Sequence, residues 1–457
     1  MSATDGGGNM RKSRFAAFAA LVAVLAVVMS ALAAGAQTTT TGSGGSGGSS
    51  TNEIGITAKE IKLAVLADVE NSISPGLFKK SVDAMNAWAR VVNKAGGIAG
   101  RKIVIDFHDT KLNPTETRNA IIQACANDFA TVGGESLFMS NVDDLVGCKD
   151  ANGDTTGLPD VPGLALDVSQ KCSPVTWQNS GDATFCATRD QSPQTYKAQQ
   201  GEFLYYTKVN QNLHGVWTLP SDLKATRDSE IPIFQAGVNL GIKKDGQGFY
   251  DTSARAQQSE LTPIIQVVKQ NNSNWVYNGN SAGIAALLRK EAIIQGANSV
   301  KVWACNIGCY STDFLDAAAG DGEGESSGIT MLPFYTEWKN NPTMKKLVTA
   351  AGGIDNVNSS SVSSWIAAIL FQDAATKAAA KGNLTRKSLM EALAAEHNFD
   401  ADGITGPFDV GAHQPPLCYV MTAVKNGKWV RTYPKQVGKF DCNPKNLVTI
   451  KLDVNDY

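Results

Sequence analysis

The sequence is poor in the residues that carry most hydrolytic chemistry. Only four histidines occur in 457 residues, His108, His214, His397 and His413. None belongs to an HExxH helix, and no serine stands in a GxSxG elbow. His108 adjoins Asp109, but successive side chains of a strand point to opposite faces, so the pair reads as a solvated strand end and not as a dyad. An excess of charge of one sign is also missing. The 41 basic and 43 acidic residues leave a net charge of −2, which offers no footprint for nucleic acid or an anionic membrane surface. DANGD (Asp150 to Asp154) begins like a calcium loop, yet Thr155 stands where the turn glycine belongs and Val161 where the bidentate glutamate belongs. GDGEGES (Gly320 to Ser326) is too acidic to cradle phosphate. Cys305-Asn-Ile-Gly-Cys309 lacks the second CxxC or histidine pair that a tetrahedral zinc site needs. The expectation is no enzyme, no metal and no cofactor.

What is present starts with an export pattern. Arg11, Lys12 and Arg14 precede an apolar run from Phe15 that ends in Ala34-Gly35-Ala36, a small-residue cleavage pattern. Residues 1–36 read as a signal peptide cleaved after Ala36. The run exceeds the ~7 to 15 apolar residues usual for such a core, so an uncleaved anchor is the alternative. No cysteine near the cut offers a lipid attachment point. Residues 37–54, rich in Gly, Ser and Thr, form a flexible linker. All eight cysteines follow it, and export with an even count favours disulfides. Short loops close most easily, so the first pairing to consider joins sequence neighbours: Cys125 with Cys148, Cys172 with Cys186, Cys305 with Cys309, Cys418 with Cys442.

Hydrophobic periodicity gives the fold class. IKLAVLA (Ile61 to Ala67) is a strand-length apolar run. From Phe78, Val82, Met85, Ala89 and Val92 recur on one helical face. Gly96 and Gly97 cap that helix, and Ile103, Ile105 and Phe107 then alternate as in a strand. Strand, helix, strand is a βαβ unit with parallel pairing. A helix from Pro114 and Thr115, a strand ATVGG (Ala130 to Gly134) and a strand LALDVS (Leu164 to Ser169) continue it. Past the polar stretch Cys172 to Gln194 the alternation restarts with a helix over Tyr196 to Val209. Strands GVWTLP, NWVYNGN and VKVWACN follow, separated by helices over 231–239, 261–269 and 282–295, with a weak strand near Gly248. ITMLPFYTEW reads as an extended link, SSWIAAILFQDAATKAAA and LTRKSLMEALAA as helices, and the pair of strands around Asn426-Gly427 as a hairpin with a I′ turn. No solenoid-length repeat is present. The class is α/β, with two doubly wound, Rossmann-like lobes in series.

Several stretches, in order, carry a family likeness: GITAKEIKLAVLAD with ENSISPG, NKAGGIAGRKIVIDFHDTKLNPTETRNAI, DFATVGG, CNIGCYSTDFL with ESSGITMLPF, and ITGPFDVGAHQPPLCYV. Together they resemble the type I periplasmic-binding-protein family, in its branched-chain amino acid (leucine-binding) branch of ABC-transporter solute receptors. The resemblance implies two lobes joined by three crossover strands near Arg189, Pro333 and Gly406. Lobe 1 would comprise residues 55–190 plus 333–405, and lobe 2 residues 191–332 plus 406–457. Ligand contacts are expected in loops after strand C-terminal ends. In lobe 1 these are Ser72, Ser74, Glu135, Ser136 and Ser169, and in lobe 2 Ser221, Asp222, Asn280, Asn306 and Tyr310. Ser, Asp and Asn also favour such positions as helix caps and turns whatever the ligand. Tyr335 and Trp338 near the second crossover could flank a ring or simply pack the hinge. The loop Ala304 to Gly308 lacks the acidic residue common in amino-acid-binding members, and Asp109 to Asn113 lacks a cysteine often found there.

The function this implies is an exported, extracytoplasmic receptor, monomeric, that captures a small organic solute (amino acid, amide or carboxylate) by hinge closure and presents it to an ABC-transporter permease. A sensor of the same fold is the alternative, and an exported hydrolase a more distant one.

Overall fold

The computed structural model describes residues 53–179 and 185–457. The expected leader and all but the last two residues of the expected linker lie outside them. Thirteen strands are present among the described residues. A first, all-parallel sheet holds β1 (Glu60–Ala67), β2 (Lys102–Asp109), β3 (Ala130–Val132) and β4 (Asp160–Val161) in the order β2-β1-β3-β4. β5 (Gln194–Gln199) stands apart from it. A second sheet takes β6 (His214–Pro220), β7 (Lys243–Thr252), β8 (Trp275–Asn278), β9 (Val302–Cys305), β10 (Glu325–Ile329), β11 (Val420–Lys425) and β12 (Lys428–Tyr433). Their order is β12-β11-β10-β9-β8-β6-β7, parallel except at the β10-β11-β12 edge. β13 (Leu447–Leu452) pairs antiparallel with β5.

Local chemistry explains the first βαβ unit. The helix Lys79–Lys94 buries Val82, Met85, Trp88, Ala89 and Val92. Its last turn is fixed to β2 by Asn93, whose side chain donates to Ile103 O (2.8 Å) and accepts from Ile103 N (2.7 Å), standing in for a strand neighbour. Gly97 turns the chain at φ +78°, and a Cβ there would sit 1.9 Å from Arg101 O, so only glycine fits. The next helix, Pro114–Asn127, starts where Asn113 accepts from Thr115 N and Glu116 N, with proline at its first position. Asn426 and Gly427 take φ of 52° and 69°, the left-handed pair a I′ turn demands.

The chain passes between the two sheets three times: between β4 and β6, directly after β10, and ahead of β11. After β10 it enters the helices Pro342–Ala350, Ser359–Ala380 and Arg386–Ala394, which cover the first sheet's side. Trp88 meets Phe371 edge-on at 6.3 Å and donates to Gln372, while Ser364 Oγ donates to Gly133 O. The second and third passages run side by side, with Met331 and Thr405 bridged and Leu332 N donating to Ile404 O. Four disulfides join Cys125–Cys148, Cys172–Cys186, Cys305–Cys309 and Cys418–Cys442. No helix among the described residues is long and apolar enough to cross a membrane.

Three stretches depart from their periodicity. LALDVS is not the strand beside β3. That place belongs to Asp160–Val161, anchored by buried Asp160, which accepts from Thr131 Oγ1, Gln170 Nε2 and Thr176 Oγ1. Residues 196–199 are strand and not helix, because β13 arrives from the far end of the chain to pair with them, and the helix is confined to Gly201–Val209. In ITMLPFYTEW the extended link ends at Pro333 in a single helical turn, Phe334–Glu337.

Candidate ligand cleft

A cavity of about 360 Å³ lies among the loops that follow β1, β3, β6, β8 and β9. Its first wall is largely apolar, with Ile73, Leu77, Phe78, Leu112, Leu137, Leu164 and Leu166, and its polar members are Ser74, Asn179 and Ser363. Buried Asp68, just past β1, organises this wall. It accepts from Thr110 Oγ1 (2.5 Å), Leu112 N (2.7 Å) and Leu137 N (2.8 Å), and so stitches three loops together with Leu112 and Leu137 turned to the cavity. Asn71 pins the loop that carries Ile73 and Ser74, accepting from both their amides. Asn179 spends its amide on Ser363 O.

The opposite wall holds the polar groups. Asn306 Nδ2 donates to Glu230 Oε1 (2.8 Å) and Gly279 O, while its Oδ1 accepts from Gly308 N. Asn280 donates to Thr252 O and accepts from Ser281 N. Tyr277 Oη donates to Glu202 Oε1 at 2.9 Å. Glu202 is half-buried in the cavity wall, and that burial pushes its carboxyl up to about 8. The Tyr277 hydroxyl and the Gly328 backbone oppose the rise, and the nearby Glu230 adds to it. Thr330, Met331 and Thr405 from the crossing segments close the floor. No lysine or arginine lines the cavity among the described residues.

Of the residues expected to hold a ligand, the structure brings Ser74, Asn280 and Asn306 together around this cavity; the others lie outside its lining. Ser136 turns its hydroxyl to Thr117 Oγ1 (3.3 Å), and the next residue, Leu137, faces the cleft instead. Glu135 is buried behind the wall, where loss of solvent raises its carboxyl to about 7 against the Ser360 and Ser81 hydroxyls. Ser169 opens the turn of helix Val168–Lys171 with its amide on Asp167. Ser221 is exposed, and Asp222 is committed to Ser253 Oγ and Ala254 N. Tyr310 is fully buried among Phe334, Tyr335 and Trp429. Tyr335 and Trp338 pack against the same core and do not line the cavity. Glu202, Glu230, Tyr277 and the leucines of the first wall escaped sequence reasoning. The acids sit inside helices, and the leucines look like any core residue.

The periplasmic binding protein family matches residues 234–428. Among solved structures, a fatty acid ABC transporter substrate-binding protein from Thermomonospora curvata aligns with a TM-score of 0.65 at 19% identity, covering 85% of this chain and 98% of that one. An ABC transporter substrate-binding protein from Aeropyrum pernix aligns at 0.64 with 17% identity (84% and 98%), and a leucine-binding protein from Thermotoga maritima at 0.61 with 15% identity (87% and 100%). The chain has the type I periplasmic-binding-protein fold. No curated protein matches the sequence. Within the type I fold, a cavity at strand C-terminal ends between two sheets is where polar loops and crossing strands meet. Here that place carries one apolar and one carboxyl-bearing wall.

Proposed function

We propose that this protein is an extracytoplasmic solute-binding receptor. It captures a small organic solute between its lobes by hinge closure and delivers it to an ABC-transporter permease, as a monomer and without catalysis. The observation that carries this reading is the cavity itself, bounded by loops after the strands of both sheets and floored by the crossing segments. Of the solutes the sequence left open, the walls favour one that is largely apolar and presents its polar end to Glu202, Glu230 and Asn306. With Ser136 turned away and Leu112, Leu137, Leu164 and Leu166 in the first wall, that lobe offers a carboxylate only the hydroxyls of Ser74 and Ser363. Moving an open-to-closed ratio from 1:99 to 99:1 takes roughly 5.5 kcal/mol of preferential binding. At about 25 cal/mol per Å² that equals the burial of roughly 220 Å² of apolar surface, so a leucine-lined wall can drive closure without a charged anchor.

Calorimetry of the purified protein against a panel tests this: aliphatic and aromatic amides, alcohols and amines, free amino acids, and dicarboxylates. The expected result is binding confined to apolar solutes, with a smaller radius of gyration in the complex. Binding of dicarboxylates alone would refute the solute class, and no binding across the panel, with scattering unchanged, would refute the receptor reading.

A further inference from the structure

Away from the cleft, the first sheet gathers a second set of polar groups. Asp106 and His108, two residues apart, share one face of β2, the edge strand. Asp128 ends the helix Pro114–Asn127, and the following amide, Phe129 N, donates to Lys62 O, which seats this turn against β1. His108 Nε2 lies 3.7 Å from Asp106 Oδ2 and 3.6 Å from Asp128 Oδ2, and the three donor atoms all fall within 4.8 Å of one another.

The cluster is not satisfied as it stands. Asp128 is wholly buried, yet neither of its carboxylate oxygens accepts a hydrogen bond, and His108 Nε2 has no hydrogen-bond partner either. A buried carboxylate is costly unless paired and hydrogen-bonded. The compensating cation is Lys62, whose Nζ sits 2.5 Å from Asp106 Oδ2 but 3.6 Å from Asp128 Oδ1. Its side chain is 36% exposed, so it has room to swing into solvent.

We propose that Asp106, His108 and Asp128 form a site for a divalent cation of the zinc class, with Lys62 as its internal competitor. Tetrahedral coordination at about 2.1 Å sets neighbouring donors roughly 3.4 Å apart; the two separations from His108 are within a few tenths of an ångström of that, while the two carboxylates, within 4.8 Å of one another, draw together as the ion binds. One imidazole with two carboxylates suits zinc, whereas calcium takes six to eight oxygens and magnesium a hydrated octahedron. The fourth position, on the solvent side vacated by Lys62, goes to water. Bound there, the ion would tie the edge strand to the turn ahead of β3 across β1. No single stretch of sequence carries this set, because its ligands come from two distant segments. None of the four residues lines the cleft, so the site stands or falls independently of the solute reading.

The test is calorimetric titration of the tag-free, chelator-stripped protein with zinc chloride. The expected result is one zinc per chain. His108→Ala should weaken it by at least about ten-fold, while Lys62→Met tightens it by removing the competing ammonium. His397→Ala, which alters an exposed histidine paired with Asp409, should bind as the parent does. Thermal melts establish that each variant is folded. No one-to-one complex in the parent, parent-like affinity in His108→Ala, or no gain in Lys62→Met would each overturn the assignment.

Discussion

Replacing Glu202 with glutamine isolates the electrostatics of the carboxyl-bearing wall. In the fold this carboxyl titrates near 8 against an ordinary 4.5, chiefly because burial disfavours its charge. The folded protein therefore keeps a proton that the unfolded chain gives up, and stability falls as pH rises from 4.5 to 8 and is level beyond. At pH 7 the penalty reaches at most roughly 3.4 kcal/mol, from 2.5 pH units at about 1.36 kcal/mol each. Glutamine has no such titration and still accepts from Tyr277 Oη, although it loses the Gly328 backbone contact, and water in the cavity softens the original penalty. The expected gain for Glu202→Gln is about 1–2 kcal/mol at pH 7, near zero at pH 5 and largest at pH 9. Urea unfolding at the three pH values measures it. A gain that is the same at pH 5 and pH 9, or a variant less stable at pH 9, would refute the argument that Glu202 is held neutral.

Two further substitutions address the cleft. Leu137→Asp places a carboxylate in the apolar wall, where desolvation by an apolar solute costs several kcal/mol; calorimetry on the folded variant should show affinity lost by about a hundred-fold or more, with the melting temperature lowered as well because Leu137 also packs in the core behind the cavity. Replacing Cys305 and Cys309 together with serine opens the loop that presents Asn306, Ile307 and Gly308. Chain-entropy arguments put the bridge at about 2 kcal/mol, so urea unfolding should report a loss of that order, accompanied by weaker solute binding. Unaltered affinity would show that the loop is held by Asn306 and its partners Glu230 and Gly279 alone.

Much of the architecture was legible because its causes are local. The apolar spacing in Val82, Met85, Ala89 and Val92 specifies a helix without reference to the rest of the molecule. Asn113-Pro114 starts another, and Asn426-Gly427 dictates a turn whose backbone few other pairs adopt. Boundaries failed where a distant partner outweighed the local pattern, as when β13 claimed residues 194–199 for a strand, or when buried Asp160 fixed β4 ahead of the more apolar LALDVS.

The cleft was harder to read. Loops after strand ends do line the cavity, as the parallel sheet dictates, but a loop's sequence does not say which of its side chains faces the opposite wall. Ser136 and Leu137 are adjacent, and only the bond from Leu137 N to Asp68, 69 residues away along the chain, turns the leucine inward and the serine toward Thr117. By itself the sequence determined the elements, their parallel order and the two-sheet class, because hydrophobic period and turn chemistry act over a few residues. The polarity of the cavity walls, the held proton of Glu202 and the meeting of Asp106, His108 and Asp128 were decided only by tertiary structure, because burial and proximity are properties of segments brought together from far apart.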